Sequence, residues 1–429
     1  MQDMGWFAAP LWLWHSAGMT SGPIGMPSPK AAALLRHPPF RRFFMARGMS
    51  SFAYQIGAVA VGWQVYALTR SAFDLGMVGL VQFAALAVLA FFGGHAADKY
   101  DRRRVARVCQ SLEGLVAAVL AWGSFAGWLN VPEIFAAVAV LGGARSFESP
   151  AVSALLPGVA PEGLLQKASA LTTGVFQFAM VSGPAMGGLL YALSPGVRYV
   201  VMAVCWLASG ALNGAIKLER KVEAKAPPDF RAVFAGVGFV RRNPAILGTI
   251  SLDLFAVLLG GATALLPIYA HDILHTGPWG LGVLRGAPAV GALLMTAVVA
   301  RYPITRRVGM RMFQAVIVFG VATVAFALSR WLVFSLLALA VMGAADTISV
   351  IIRLSLVQLA TPDDMRGRVG AVNYLFINAS NQLGEFESGM TAALFGAVPA
   401  AALGGVGTIL VALLWMRLFP ALRDMERLE

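Results

Sequence analysis

Charge is scarce in this sequence. Charged residues make up 13% of the 429 residues, whereas 58% are hydrophobic. That composition is too apolar for a soluble globular protein. Apolar runs recur along the whole chain, which is typical of a helical protein that crosses a membrane many times. The only two cysteines, Cys109 and Cys205, lie inside apolar runs without metal-ligand or disulfide spacing, so we expect them in the core.

Several catalytic and energy-coupling motifs are missing. The sequence has no G-x-x-x-x-G-K-[ST] nucleotide loop and no H-E-x-x-H zinc motif, so nothing in it indicates an ATP-driven pump or an enzyme. His271 and His275 are four residues apart, which is a possible metal spacing. No further ligands are nearby in the sequence, so we expect no metal site.

Twelve apolar segments are near or above the ~20 residues that a bilayer core requires of a helix. We predict an all-α integral membrane protein with twelve transmembrane helices. The segments span 48–68, 74–97, 105–129, 132–149, 167–193, 197–217, 245–270, 279–300, 310–328, 331–359, 369–395 and 399–419.

Basic residues predict the orientation. If the N-terminus is cytoplasmic, 27 of the 33 lysines and arginines lie in or beside cytoplasmic segments, and only Arg70, Arg198 and Arg330 lie in outside loops. This bias predicts that both termini are cytoplasmic. The net charge of +12 is therefore attributed to cytoplasmic loops in contact with the bilayer, and we expect no nucleic-acid partner.

An internal repeat divides the chain into two halves. The stretches that begin at Gly143 and Gly343 align loosely, with an offset near 200 residues. Six helices separate the two copies, so the halves have the same orientation, as in major facilitator transporters. We predict a disordered or mis-annotated extension over 1–35, six-helix halves over 36–218 and 245–419, a cytoplasmic linker over 219–244 with an interfacial helix from Phe230 to Arg242, and a cytoplasmic tail over 420–429.

The loop between helices 2 and 3 reads "GGHAADKYDRRR" and resembles the major facilitator signature G-x-x-x-D-[RK]-x-G-[RK]-[RK], with Asp101 in place of the second glycine. The resemblance implies a latch of the outward-facing state, in which the arginines pair with an acid near the end of helix 4, here Glu148. A small residue in the motif lets helices approach closely. The alternative is a plain basic loop. The matching residues are Gly94, Asp98, Lys99, Arg102 and Arg103.

Helix 5 contains "AMVSGPAMGG", which resembles the exporter motif G-x-x-x-G-P-x-x-G-G. Small residues four apart form a flat face for close helix packing, and ordinary packing is the alternative interpretation. The resemblance favours export. The matching residues are Gly183, Pro184, Gly187 and Gly188.

Ionisable residues inside membrane spans usually face a cavity or another helix. Arg145 resembles an arginine with a role in proton transfer in the superfamily, although a local pair with Glu148 is equally compatible with the spacing. Asp346 and Arg353 share a face of helix 10 and serve either transport or the cohesion of the C-terminal half. The resemblance implies that Asp253 and Gln55 lie at the central cleft. Glu113 is expected to be a structural partner of the arginines in the helix 2–3 loop.

Two carboxylates lie close together in helix 11, within "SNQLGEFESGM". Successive helical residues turn by ~100°, so Glu385 and Glu387 point ~160° apart. Glu385 shares a polar stripe with Asn381 and is the first candidate for proton coupling. Glu387 lies on the opposite, small-residue face and is predicted to be a structural anchor bonded to a neighbouring helix.

The stretches "DLFAVLLGGATALLP", "RLSLVQLATPDDMRGRVGAVN" and "SNQLGEFESG" resemble the enterobactin-exporter and macrolide-efflux branch of the major facilitator superfamily. This resemblance implies a monomeric, proton-driven exporter of amphipathic siderophores or drugs in a bacterial inner membrane, with the proton gradient as energy source and no cofactor. The alternatives are a lysophospholipid flippase or an importer on the same fold, or a non-transporting membrane scaffold.

Overall fold

The computed structural model describes residues 34–194, 196–217, 237–362 and 365–427. The extension before residue 34 and most of the predicted linker lie outside these residues, although 237–242 are helical. Twelve long helices correspond one to one with the predicted segments. They are α1 Pro38–Thr69, α2 Ala72–Lys99, α3 Arg102–Ala126, α4 Val131–Val159, α5 Leu165–Leu193, α6 Val197–Gly214, α7 Pro244–Leu259, α8 Gly277–Arg301, α9 Val308–Leu328, α10 Leu332–Leu359, α11 Arg366–Phe395 and α12 Ala397–Leu418.

Two helices are about ten residues longer than predicted. Helix α4 continues past residue 149 and includes Pro150 and Pro157. Each proline removes one backbone donor, but neighbouring helices in a membrane bundle make such interruptions tolerable. Helix α1 begins at Pro38 because proline suits a first helical turn and because Phe40 and Phe43 are buried.

The seventh span is irregular in its second half. Helix α7 ends at Leu259, and the chain continues through a 3₁₀ turn at Ala262–Leu265, a single α-helical turn and a π-helical turn at Tyr269–Ile273. At the break, a Cβ on Gly261 would lie 2.5 Å from the Gly384 carbonyl oxygen of α11, so only glycine permits this approach. The irregular segment carries His271 and Asp272 towards the first half.

The helices form two six-helix halves. Within the first half α1 packs on α5 and α6, α2 on α4, and α3 on α6; within the second, α8 packs on α10, and α9 on α10 and α12. The halves meet along two seams, α2 with α11 and α5 with α8. We call the face with the α2–α3, α4–α5, α8–α9 and α10–α11 connections the terminal face, and the other the far face.

Helix polarity is unevenly distributed. In the described part of the chain, eight of the long helices combine spanning length with high mean hydropathy, and α1, α4, α5 and α11 are outside that set. These four helices carry Gln55, Arg145, Pro184 and Glu385 among the predicted site residues. Polar side chains that face the interior of the bundle lower the mean hydropathy of their helix.

The close contact near the loop motif is made by a different glycine from the one predicted. A Cβ on Gly93 would lie 2.1 Å from the Ser146 carbonyl oxygen of α4, whereas a Cβ on Gly94 would meet no heavy atom within 4 Å. The packing role that we assigned to Gly94 in the motif therefore belongs to its neighbour, since one residue along a helix turns by ~100°.

Replacing Gly93 by alanine should destabilise the protein by roughly 1–3 kcal/mol, because backbone atoms of two helices must separate to admit the methyl group. Gly94→Ala is the matched control and should leave stability unchanged or slightly higher. The thermal unfolding midpoints of the two purified variants test this. Equal destabilisation by both substitutions would show that the α2–α4 contact is misassigned.

Candidate functional site

The seam between the halves is closed towards the far face by contacts that only glycine allows. A Cβ on Gly76 of α2 would lie 3.0 Å from the Gly389 Cα of α11, and a Cβ on Gly188 of α5 would lie 2.5 Å from the Pro278 carbonyl oxygen of α8. A Cβ on Gly282 would similarly lie 2.6 Å from the Pro184 carbonyl oxygen. Both seams are thus in backbone contact near the far face.

Polar and aromatic side chains complete this closure. Tyr66 of α1 donates a hydrogen bond to Asp272, and Arg70 Nη1 lies 3.6 Å from Asp272 Oδ1 and 2.7 Å from His271 Nδ1. The Trp63 ring lies 5.6 Å from that of His271. We call these five residues the far-face cluster. They join α1 to the irregular seventh span, so His271, which we had considered only as a metal ligand, lies at a contact between the halves.

Towards the terminal face the α5–α8 seam opens into a cavity of about 1170 Å³. One wall is α5 from Leu165 to Val181, and Leu293 of α8 is on the other. The last tight contact before the opening is at Gly286, where a Cβ would lie 2.8 Å from the Val181 carbonyl oxygen. The bundle is therefore closed at the far face and open on the side of the terminal face.

An ion pair lies in the seam at the closed end. Glu385 Oε1 of α11 is 4.0 Å from Arg285 Nη2 of α8, and both side chains are about a quarter exposed. Gly79 of α2 packs directly on Glu385, because a Cβ there would lie 2.8 Å from the Glu385 Cβ. Arg285 Nη1 also lies 3.4 Å from the Ala58 carbonyl oxygen of α1. The pair thus belongs to the second half and contacts two helices of the first.

Arg285 is not among the site residues predicted from the sequence. The only indication in the sequence is that Arg285 is a charged residue within a predicted span. This predicts a position inside the bundle but does not identify the carboxylate that pairs with it. Glu385 is one hundred residues away in the chain, so only the tertiary fold brings the two side chains together.

The other residues of the α11 motif have different neighbours on the two faces of the helix, and one prediction is corrected. Asn381 is exposed and donates to the Ile377 carbonyl of its own helix, and Gln382 lies against Gly79. Gly384, on the other face, packs on the end of α7. Glu387 was expected to bond to a neighbouring helix; the hydrogen bonds that it accepts instead come from its own helix, from Thr391 Oγ1 at 2.8 Å and Ser388 Oγ at 3.4 Å.

The first half contains a buried polar network around Glu148. This fully buried carboxylate accepts hydrogen bonds from Ser50 Oγ of α1 at 2.6 Å and Gln110 Nε2 of α3 at 2.8 Å, and it pairs with Arg145 at 3.0 Å. Arg145 also lies over the Tyr54 ring of α1, 4.1 Å from its centroid. These contacts join three helices of the first half. The Arg145–Glu148 pair is the local pair that the spacing allowed as an alternative to a role in proton transfer.

Glu113 is in a different environment from the one predicted. Glu113 is buried in α3, and its carboxyl group interacts electrostatically with Glu148 and Arg145 of α4. We had expected it to bind the arginines of the helix 2–3 loop. The Glu113 side chain is buried on the side of α3 that faces Glu148 and Arg145.

The arginines of the helix 2–3 loop contact other partners in this conformation. Arg102 donates to the Ala154 carbonyl of α4 at 3.1 Å, and Arg103 pairs with Asp101 at 2.6 Å. The hydrogen bonds from Arg103 hold the pKa of Asp101 below its usual value. Lys99 is exposed beside the Tyr100 ring, and the side chain of Asp98 lies outside the described residues. Between the described residues the predicted pairing of these arginines with Glu148 is not formed in this conformation, and the latch stays a prediction.

The second half has its own buried ion pair. Arg353 of α10 and Asp253 of α7 are in direct contact, with side chains 4% and 11% exposed. Each charge is thereby neutralised by the other, so Asp253 is not an isolated carboxylate in the cleft. Asp346 lies two turns before Arg353 on α10, near the point where Gly343 packs on Pro288 of α8.

The helix 5 motif joins α5 to both halves. A Cβ on Gly183 would lie 2.6 Å from the Gln55 Cβ of α1, and one on Gly187 would lie 3.3 Å from the Ile56 Cα. Gly188 and the Pro184 carbonyl face α8 instead. Gln55 is therefore packed at the α1–α5 contact. In the described residues no cluster of three or more His, Cys, Asp or Glu side chains is arranged to hold a metal ion.

Comparison with solved structures places this architecture in a known fold. The nucleoside transporter NupG superimposes with a TM-score of 0.68 at 13% identity, over 89% of this chain and 99% of the other. A bacterial homolog of the human lysosomal transporter Spinster, in an inward-facing and unoccupied conformation, superimposes with a TM-score of 0.69 at 12% identity, over 93% and 97% of the two chains. These similarities show the major facilitator fold.

Sequence comparison gives the family. The enterobactin exporter EntS of Citrobacter koseri is 25% identical over 402 residues, which cover 91% of this chain and 94% of the relative. EntS of Escherichia coli O9:H4 is 24% identical over 406 residues, with 92% and 95% covered. The transmembrane secretion effector family model matches residues 30–429. The chain therefore belongs to this family of multi-pass membrane transporters with the major facilitator fold.

Proposed function

We propose that this protein is a proton-coupled exporter that moves an amphipathic small molecule, in the siderophore class, across the bacterial inner membrane by alternating access. The observation that carries the proposal is the Glu385–Arg285 pair in the seam between the halves. A carboxylate that is about a quarter exposed and lies against both halves can exchange a proton and change the balance between two arrangements of the halves.

The magnitude of the interaction supports this role. Two unit charges 4 Å apart interact by about 4 kcal/mol at an effective dielectric constant near 20. Protonation of Glu385 removes this attraction and frees Arg285, which also contacts the Ala58 carbonyl across the seam. A shift between two states from 1:99 to 99:1 requires about 5.5 kcal/mol. One protonation event thus supplies an energy of the required order.

The direction and substrate are proposed from the relatives and from α5. The relatives with the full-length similarity reported above are named enterobactin exporters, and the α5 motif that resembles the exporter signature lies at the contact of α5 with α1 and α8. A proton gradient across the membrane would drive export in exchange for entering protons. We propose that the termini face the cytoplasm, so that the open side of this conformation faces the substrate.

Glu385→Gln should abolish proton-coupled export and leave insertion and folding intact, because the amide keeps the shape of the side chain and cannot exchange a proton. The measurement is enterobactin transport into inverted membrane vesicles with an imposed pH gradient. Glu387→Gln is the matched control, two residues away on the same helix, and should retain transport. Gradient-driven export by Glu385→Gln at the wild-type rate would refute the role of this residue.

The far-face cluster is proposed to be the gate of the closed end. Asp272 is its centre, since it accepts from Tyr66 and pairs with Arg70, and both of these residues belong to the other half. The Arg70–Asp272 pair is about half exposed and contributes little on its own. A hydrogen bond to a charged acceptor is the stronger part of the contact.

Asp272→Asn should increase the population of the far-face-open state several-fold, corresponding to about 1 kcal/mol. Spin labels at Leu193→Cys and Trp331→Cys, exposed sites on opposite halves, report the opening by double electron–electron resonance in a background without native cysteines. Asp74→Asn, at the same face in the first turn of α2, should leave the distances unchanged. A distance distribution for Asp272→Asn identical to that of the parent would exclude the gate.

A further inference from the structure

The wall of the seam cavity carries an ordered stripe of uncharged polar side chains. These side chains recur along α5 at spacings of three and four residues, which places them on one face of the helix. All of them line the cavity. They are Gln166, Ser169, Thr173 and Gln177.

The remaining wall is apolar. Phe178 and Val181 of α5 flank the stripe, and Leu293 of α8 lies on the other side. None of the cavity-lining residues that the structure describes is charged. The volume of about 1170 Å³ is slightly above the ~300–1,000 Å³ range typical of small-molecule sites, so it is large enough for a drug-sized molecule.

This combination defines the chemistry of a suitable ligand. Hydrogen-bonding side chains inside a membrane bundle are costly unless they find partners, so the stripe matches a ligand that offers donors and acceptors. An ionised ligand would need an opposite charge in an environment of low dielectric constant, and the described wall offers none. An apolar body would pack against Phe178, Val181 and Leu293.

We propose that the α5 stripe is the substrate-binding wall, and that it binds amphipathic molecules whose hydrogen-bonding groups are un-ionised, such as neutral phenols, esters and amides. This proposal rests on the proposed export function and specifies its substrate class. The site differs from the Glu385–Arg285 pair, so protons and substrate occupy separate places in the seam.

The position of the stripe also gives a route for coupling. Val181 lines the cavity, and its carbonyl packs on Gly286, the neighbour of Arg285. Because α5 and α8 belong to different halves, closure of the terminal face would bring Leu293 towards α5 and reduce the room for the ligand. A bound ligand would lie between the two halves as they close, so occupation of the cavity is coupled to the position of α8 relative to α5.

Two isomeric probes separate neutral from charged recognition. Octyl 4-hydroxybenzoate is neutral near pH 7, whereas 4-octyloxybenzoate has the same atoms and chain but an ionised carboxylate. The readout is the rate at which N-ethylmaleimide labels Ser169→Cys in purified protein that lacks Cys109 and Cys205. The neutral ester should slow labelling at least fivefold and the carboxylate less than twofold. Neither should affect Leu193→Cys, an exposed position on α5 outside the cavity.

Shape-conserving variants test the stripe itself. Thr173→Val combined with Gln177→Leu should raise the ester concentration required for protection about tenfold, the effect of losing about 1.4 kcal/mol of hydrogen bonding. Thr172→Val is the matched control, since that hydroxyl bonds to the Ala168 carbonyl of its own helix and should leave protection unchanged.

The proposed binding wall would be refuted if both isomers protected Ser169→Cys equally or if neither did. It would also be refuted if the double variant left protection by the ester unchanged. These labelling results do not depend on transport. Protection with the expected selectivity in a protein that shows no gradient-driven export would support the binding wall and refute the proposed function instead.

Discussion

The rest of the structure depends on one constraint: a charge inside a membrane bundle must have a partner, and in this protein the partner of Glu385 lies in the seam between the halves. Arg285 neutralises the carboxylate and at the same time contacts α1 of the other half. Any change in the charge of Glu385 therefore alters a contact that holds the halves together. We propose that this contact links a single proton to the relative position of the two six-helix units.

The other buried charges make each half rigid. In the first half Glu148 joins α1, α3 and α4 through Ser50, Gln110 and Arg145. In the second half the Asp253–Arg353 pair joins α7 to α10. Breaking a buried pair by losing one partner typically costs 3–5 kcal/mol, so these networks resist deformation. In the proposed mechanism, motion is concentrated in the seams, where glycines bring the backbones of two helices into contact.

The sequence predicts local features well and tertiary partners poorly. Apolar length located all twelve helices, and helical spacing separated Glu385 from Glu387. The arginine beside Glu385 could not be found in this way, because the pair is one hundred residues apart and arises from helix packing. The motif also predicted the close contact of α2 with α4 at Gly94, whereas it lies one residue earlier, at Gly93. Arg198, expected in an outside loop, is fully buried against Gln64 and the Tyr191 ring, since its aliphatic stem and planar head pack well there.

We propose that the protonation state of Glu385 sets the balance between the two arrangements of the halves. The most direct test is the pH dependence of the distance between spin labels on opposite halves, measured in the wild-type background and in Glu385→Gln. We expect the distance distribution to shift with pH in the wild-type background and to stay constant in the variant. An unchanged pH response in Glu385→Gln would contradict it.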